Sequence, residues 1–342
     1  MKFLHIADCH LGGWRDERLG KLVEEAFEKA LDVAIAKNVD AILISGDLFD
    51  IPLPSLNVVI KAMEKMKEIR ARGIKIFAIP GSHDISMNVG VINLLEAAEI
   101  IKNVDFRKSD NIDYFFENDE LFVIGIAGKK KGNEIEDLED FKKFIDKHKQ
   151  TINKAKYKIF LFHSTVRELI DEQLEKFVDS VSMHEIPNLF DYFVFGHIHT
   201  NNILKAGKKF YVYPGPIFPT NFEEMEKLKH GYCVFYDLEK EKIEKVPIKV
   251  ANVINLHFSV NNKAPAALTN EIVKKLEEIE PDGETIVTLR LEGMLSGKIS
   301  QIEFDRIKKI AEEKNMLLLK NISKLTTQEE KEGVFVDTSV SS

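Results

Sequence analysis

Short apolar runs alternate with amphipathic segments through roughly the first 240 residues. The runs KFLHIAD, AILISGD, KIFAIPGSHD, KIFLFHS, DYFVFGHIH and KFYVYPGP read as buried strands, and ELFVIGIAG as part of a hairpin. Between them, LVEEAFEKALDVAIAKN places Leu22, Val23, Ala26, Phe27, Ala30, Leu31 and Ala34 at helical spacing, which makes one apolar stripe. LNVVIKAMEKMKEIRARG predicts a helix closed by glycine, and VGVINLLEAAEIIKN and DLEDFKKFIDKHKQTIN predict two more. A βαβα rhythm followed by consecutive strands indicates an α/β layered core.

Beyond residue 248 the pattern changes. VINLHFSV, LTNEIVKKLEEIE, ETIVTLRLEGML, SQIEFDRIKKIAEEKN and MLLLKNISKL form a β-α-β-α-β set. With 342 residues the chain exceeds what one core accommodates, so two domains are expected, at 1–248 and 249–325. The polar stretch 326–342 reads as a mobile tail.

Composition narrows the function classes. The balance of 44% hydrophobic and 30% charged residues fits a folded soluble chain and excludes a disordered one. No apolar run is long enough to cross a bilayer, and MKFLHIADCH puts acid and histidine where a secretory leader needs an apolar stretch. Two cysteines, Cys9 and Cys233, provide no disulfide framework, so a reducing cytoplasmic setting is expected. Four glutamines against abundant Lys and Glu lean towards a thermophile. A net charge of −8 does not by itself announce a nucleic-acid binder. A polyanionic substrate therefore needs local positive charge, which bound divalent cations can supply.

The ends of the strands carry the chemistry. KFLHIA ends in Asp8-Cys9-His10, AILIS in Gly46-Asp47-Leu48-Phe49-Asp50, and IFAIP in Gly81-Ser82-His83-Asp84. IFLF ends in His163, and YFVF in Gly196-His197-Ile198-His199. Open α/β sheets bind ligands beyond the carboxyl ends of their strands, so these groups can meet in one crevice. Carboxylates and imidazoles crowded together are costly unless a cation sits among them. Mixed Asp/His ligation without cysteine suits manganese, iron or zinc. About seven donors exceed the needs of one such ion and point to two sharing a bridging carboxylate, the arrangement that stabilises both the attacking and the leaving oxygen in phosphoryl transfer. Taken singly, Asp-x-His reads as a polar strand end and Gly-Asp as a turn. Histidines two apart on an extended strand point to one side, and Cys9 is expected to point away from its neighbours.

The ordered set D-x-H, GD-x-x-D, G-x-HD, H, GH-x-H resembles the calcineurin-like metallophosphoesterase superfamily over residues 1 to about 220. HIADCHLG, GDLFD, GHIHT followed by YPGP, and the small α/β domain behind them are similar to one branch, the MRE-eleven/SbcD repair-nuclease family. The resemblance implies a layered β-sandwich core flanked by helices, with a smaller α/β capping domain that contacts DNA. It implies an archaeal-type, manganese-dependent nuclease, an exonuclease on double-stranded and an endonuclease on single-stranded DNA. Such a protein works in the cytoplasm, at the nucleoid, with an SMC-like ABC ATPase, and as a homodimer.

Carried over by position, the resemblance assigns Asp8, His10 and His199 to one manganese ion, and His163 and His197 to a second, with Asp47 bridging. His83 is the non-ligating histidine that steadies the phosphoryl charge and protonates the leaving oxygen, and Asp50 orients it. Ser82 occupies the place of the superfamily's asparagine ligand, and its shorter hydroxyl predicts weaker hold on the second ion. Asp50 stands where many repair nucleases carry histidine.

His5 reads as packed inside its strand, and His148, His184, His230 and His257 have no ligand spacing. Trp14, Arg15, Arg18 and Lys129–Lys131 could approach phosphate but read by default as solvated surface, so no DNA-contact residue is assigned. Val58, Ile60, Met63, Met66, Leu94 and Leu95 are core or, as in relatives of this branch, dimer interface. Gly293–Ile299 superficially resembles a phosphate-binding loop, but it lacks a spacer and the Ser/Thr after its lysine. The competing readings are a phosphatase or small phosphodiesterase on the same scaffold, and a non-catalytic module.

Overall fold

In the computed structural model, residues 1–85, 90–129, 134–171 and 178–327 are described. Lys130, Lys131 and most of the predicted tail lie outside them. The elements follow in the order β1 (Lys2–Ile6), α1 (Glu17–Ala36), β2 (Ala41–Ser45), α2 (Leu56–Ala71), β3 (Lys75–Ile79), α3 (Val91–Ala97), β4 (Lys102–Asn103), β5 (Phe116–Asn118), β6 (Leu121–Ile126), α4 (Glu134–Ile152) and β7 (Tyr157–His163). Then come β8 (Tyr192–Gly196), β9 (Asn202–Ala206), β10 (Lys209–Tyr213), α5 (Phe222–Leu228), β11 (Gly231–Asp237), β12 (Lys242–Ile248), β13 (Asn252–Ser259), α6 (Pro265–Glu277), β14 (Thr285–Leu295), α7 (Phe304–Glu313) and β15 (Met316–Thr327).

Residues 1–220 and 231–248 make the first unit, built on two six-stranded sheets. One runs β12-β11-β1-β2-β3-β4 and the other β5-β6-β7-β8-β10-β9. In the first, β1 to β4 run parallel and β11 and β12 join antiparallel on the β1 side; in the second, a parallel centre is flanked by antiparallel edge strands. Phe3, Leu43, Phe77 and Ile79 from the first sheet share one core with Val123, Phe160, Leu161 and Phe193 from the second. Strands buried on both faces read as continuous apolar runs, which is why AILIS, IFLF and YFVF show no alternation.

The predicted stripe of α1 is buried as expected, extended by Leu19, and Asp16 caps the helix by accepting from the N–H groups of Arg18 and Leu19. Helix α2 is capped by Ser55 and stopped at Gly73, whose φ of +81° suits glycine. The third predicted helix is shorter than its pattern. It ends at Ala97, Glu99 turns into the left-handed region, and Lys102–Asn103 pairs with β3. Burial of Ile100 and Ile101 in the sheet layer outweighs the local helical pattern.

The second unit comprises residues 221–230 and the described residues from 249 onward. Its parallel sheet β13-β14-β15 is covered by α6 and α7 around Leu268, Ile272, Leu276, Val287, Leu289, Leu291 and Ile307. A domain boundary drawn at 248 leaves 221–230 with the first domain, yet α5 packs on this sheet instead. Arg290 on β14 donates to Glu226 (Nε to Oε2, 2.8 Å) and lies over the Phe222 ring at 5.1 Å. Gly293–Leu295 is the end of β14, so the segment resembling a phosphate loop begins inside a strand.

Candidate metal centre

The loops after β1, β2, β3, β7 and β8 meet at the carboxyl ends of their strands. Backbone hydrogen bonds lace the first two together, from Asp8 N to Gly46 O (3.1 Å) and from His10 N to Asp47 O (3.0 Å). Asp8, His10, Asp47 and His197 all have positive φ, at +49°, +45°, +50° and +92°. Each such residue costs about 1–3 kcal/mol and persists only where its surroundings over-determine it. These kinks replace strand alternation. Cys9 is buried outside the cluster, while Asp8 and His10 both turn into it. His197 and His199, expected to share one side, lie in the bend after β8 and join different groups.

Two ligand-competent groups result. Asp8, His10 and His199 bring their donor atoms within 4.8 Å of one another, and so do Asp47, His163 and His197. Asp47 stands between the groups, its Oδ2 3.1 Å from His163 Nε2 and 3.9 Å from His10 Nε2. Ser82 Oγ reaches the same oxygen at 3.4 Å, and His83 N donates to Asp47 Oδ1 at 2.8 Å. A third combination, His10, Asp50 and His83, is internally hydrogen-bonded: Asp50 Oδ1 lies 3.0 Å from His10 Nδ1, and Asp50 O lies 2.7 Å from His83 Nδ1. Glycines make the close approach possible. A Cβ at Gly46 would run into His163 Nδ1, and one at Gly81 into Asp47.

The donor set fits cations. His163 Nδ1 lies 2.8 Å from Ser45 O, an acceptor, so that nitrogen carries a proton and Nε2 faces Asp47. His10 Nδ1 faces the Asp50 carboxylate, which leaves His10 Nε2 as a lone pair 3.2 Å from His199 Nε2. Asp8 Oδ2 is buried without a hydrogen-bond partner, and His163 Nε2 is buried against the Asp47 carboxylate. A buried donor without a partner is expensive unless an ion takes it up. Electrostatics agrees. Burial opposes charge on both Asp47 and His163, but their mutual attraction prevails. It holds the Asp47 carboxyl well below the usual range and pushes His163 up to about 10. His197 is pushed down to about 4 by burial and by the charge on His163.

Asp84 has a role that residue types alone did not reveal. It is buried and accepts from the N–H groups of Leu48 (3.1 Å), Phe49 (2.9 Å) and Gly81 (2.9 Å), so it clamps the Asp47 loop to the His83 loop. Burial and the neighbouring Asp47 charge push its carboxyl up to about 6 against those three donors. The GSHD spacing was the available signal. His5 is packed, as expected: its Nε2 lies 3.0 Å from Ser45 Oγ and 3.2 Å from Phe195 O, which joins the two sheets beneath the site. Trp14 donates to Pro219 O at 3.0 Å beside His10 and Asp50. Lys129 is paired with Asp137 at 2.7 Å.

Residues 1–201 match the family model described as calcineurin-like phosphoesterase. The chain belongs to that family. As a calcineurin-like phosphoesterase it is a metal-dependent phosphoester hydrolase, and the two Asp/His groups offer donors of the kind such chemistry requires. Three archaeal proteins named DNA double-strand break repair protein Mre11 are similar to it. That of Archaeoglobus fulgidus is 24% identical, with 97% of this chain and 78% of its own length covered. Those of Methanococcus maripaludis and Methanocaldococcus jannaschii are each 28% identical, covering 82% and 81% of this chain and 74% and 73% of their own lengths. A dimetal phosphatase from Danio rerio aligns with a TM-score of 0.44 and 12% identity, over 73% of this chain and 98% of its own. Among the described residues no helix is long and apolar enough to cross a membrane.

Proposed function

We propose that this phosphoesterase is a manganese-dependent DNA nuclease of double-strand-break repair, cleaving duplex DNA from its ends and single strands internally. The observation that carries the reading is the pair of Asp/His groups with the Asp47 carboxylate facing His163 of one and His10 of the other, in a chain similar over most of its length to archaeal break-repair proteins. Asp8, His10 and His199 would hold one ion, His163 and His197 the other, with Asp47 between them. Ser82 would be a weak extra donor to the second. When bound, the two ions would supply the positive charge that activates water and stabilises both oxygens of an in-line displacement. They also answer how a chain of net charge −8 meets a polyanion.

His83 would serve the leaving side. Its Nδ1–H donates to Asp50 O, so Nε2 is the nitrogen presented outward from a half-exposed ring. As imidazolium, that nitrogen donates to a phosphoryl or departing oxygen, a contribution of typically 10²–10⁴-fold.

The remaining assignments rest on the same family branch. The unit from 249 onward would cap the nuclease unit and contact DNA, and an SMC-like ABC ATPase would drive access. A homodimer would form through α2 and α3. Ile51, Leu53, Leu56, Ile60 and Leu94 are large apolar side chains about half to three-quarters exposed, on these helices and the loop leading into α2. Monomeric surfaces rarely leave such a group uncovered. Met66 and Leu95 belong to the core instead. Cleavage of end-labelled single- and double-stranded DNA with manganese, magnesium or chelator tests the reading. Manganese-dependent products support it. Turnover of small phosphomonoesters with intact DNA replaces it with a phosphatase.

A further inference from the structure

The family pattern would have Asp50 orient His83 through its side chain, and the geometry divides the work differently. The carboxylate is 3.0 Å from His10 Nδ1 and 3.8 Å from His83 Nδ1. The main-chain carbonyl of the same residue is the atom that meets His83 Nδ1, at 2.7 Å. Asp50 N donates in turn to Leu11 O at 3.2 Å, anchoring the residue next to His10 along the chain. A carbonyl only accepts, so His83 must donate there whatever side chain residue 50 carries. A carboxylate facing an imidazole nitrogen fixes the other nitrogen as the lone pair and raises its basicity. That other nitrogen is His10 Nε2, which points at His199 and Asp47.

We propose that the Asp50 side chain is a positioning residue for the ion held by Asp8, His10 and His199, and that His83 is held by the Asp50 backbone alone. His199 has a weaker counterpart in Thr220, whose Oγ1 lies 3.3 Å from its Nδ1. Asp50 thus gives His10, one of the three donors to the first ion, a charged partner. This rests on the two-ion reading of the site.

Manganese titration of the full chain, following the signal of free manganese by electron paramagnetic resonance, tests it with the wild type, Asp50→Ala and Asp50→Asn. The wild type should take up two ions. Asp50→Ala should bind one of them about 10–100-fold more weakly and the other as before, the effect expected for loss of a group behind a ligand. Asp50→Asn, which keeps an acceptor but no charge, should fall between and carries the test should the alanine variant fold poorly. Raising manganese should recover DNA cleavage by Asp50→Ala, because His83 keeps its carbonyl. Two ions bound equally by the wild type and both variants overturn the assignment, as does a cleavage defect that no excess of manganese relieves. A wild type that binds fewer than two ions overturns the two-ion reading itself.

Discussion

Asp47 Oδ2 and His163 Nε2 face each other at 3.1 Å across the two sheets of the first unit, both residues buried. Without metal this pair is carboxylate and imidazolium, with His163 at about 10 against about 6.5 for an exposed histidine. Metal needs the bare nitrogen, so the proton must leave. Manganese uptake near pH 8 should therefore release close to one proton, measurable by calorimetry in buffers of different ionisation enthalpy. Zero release would remove His163 from the ligand set.

The same shift sets a stability profile. A histidine with raised folded pKa stabilises the fold in full below about pH 6.5, and that contribution disappears as pH rises towards 10. Melting temperature in chelator should fall across this window, and saturating manganese should flatten the fall. Parallel curves with and without metal would contradict the pairing.

Replacing His83 by Ser should lower the single-turnover DNA cleavage rate by roughly 10²–10⁴-fold, the range for a lost general acid. Its ring belongs to neither Asp47-linked ligand group, so bound manganese should stay at the wild-type level by elemental analysis. Unchanged cleavage would take His83 out of the chemistry.

Ser82 reaches the Asp47 oxygen only at 3.4 Å. Substituting Asn offers a longer carbonyl donor, and affinity at the second site should tighten by on the order of tenfold, a typical scale for changes around a metal. Titration of both proteins decides it; equal occupancy would leave Ser82 outside the site.

His5 behaves oppositely to His163. Burial pushes it down to about 3, so it stays neutral in the fold while the unfolded chain takes up a proton near pH 6.5. Stability should drop as pH falls from about 6.5 towards 3. His5→Gln should cost roughly 1 kcal/mol at neutral pH through altered hydrogen bonds yet show a shallower acid decline in urea midpoints. An identical decline would assign the acid sensitivity elsewhere.

Leu56 and Ile60 are 77% and 52% exposed, one helical turn apart on α2. Glu at both positions should convert a dimer to a monomer by light scattering and shift the melting temperature of the monomer by no more than a few degrees, since neither side chain is core. A wild type that is monomeric at micromolar concentration would remove the dimer.

The sequence by itself determined the alternation of elements and the candidate donors, because apolar runs ending in Asp or His are local and sterically imposed. The stripe of α1 and the strand ends at Asp8, Asp47 and His163 needed only periodicity. Periodicity left open which donor meets which; the family resemblance supplied a grouping, and tertiary structure builds it. The left-handed turns at Asp8, His10, Asp47 and His197 arise from hydrogen bonds between loops far apart in the chain, and they send His197 and His199 to different groups. The shortening of α3, the packing of α5 on the second unit's sheet, the clamp made by Asp84 and the split contacts of Asp50 share that origin. Each depends on burial and partners supplied by distant residues, which no local pattern encodes.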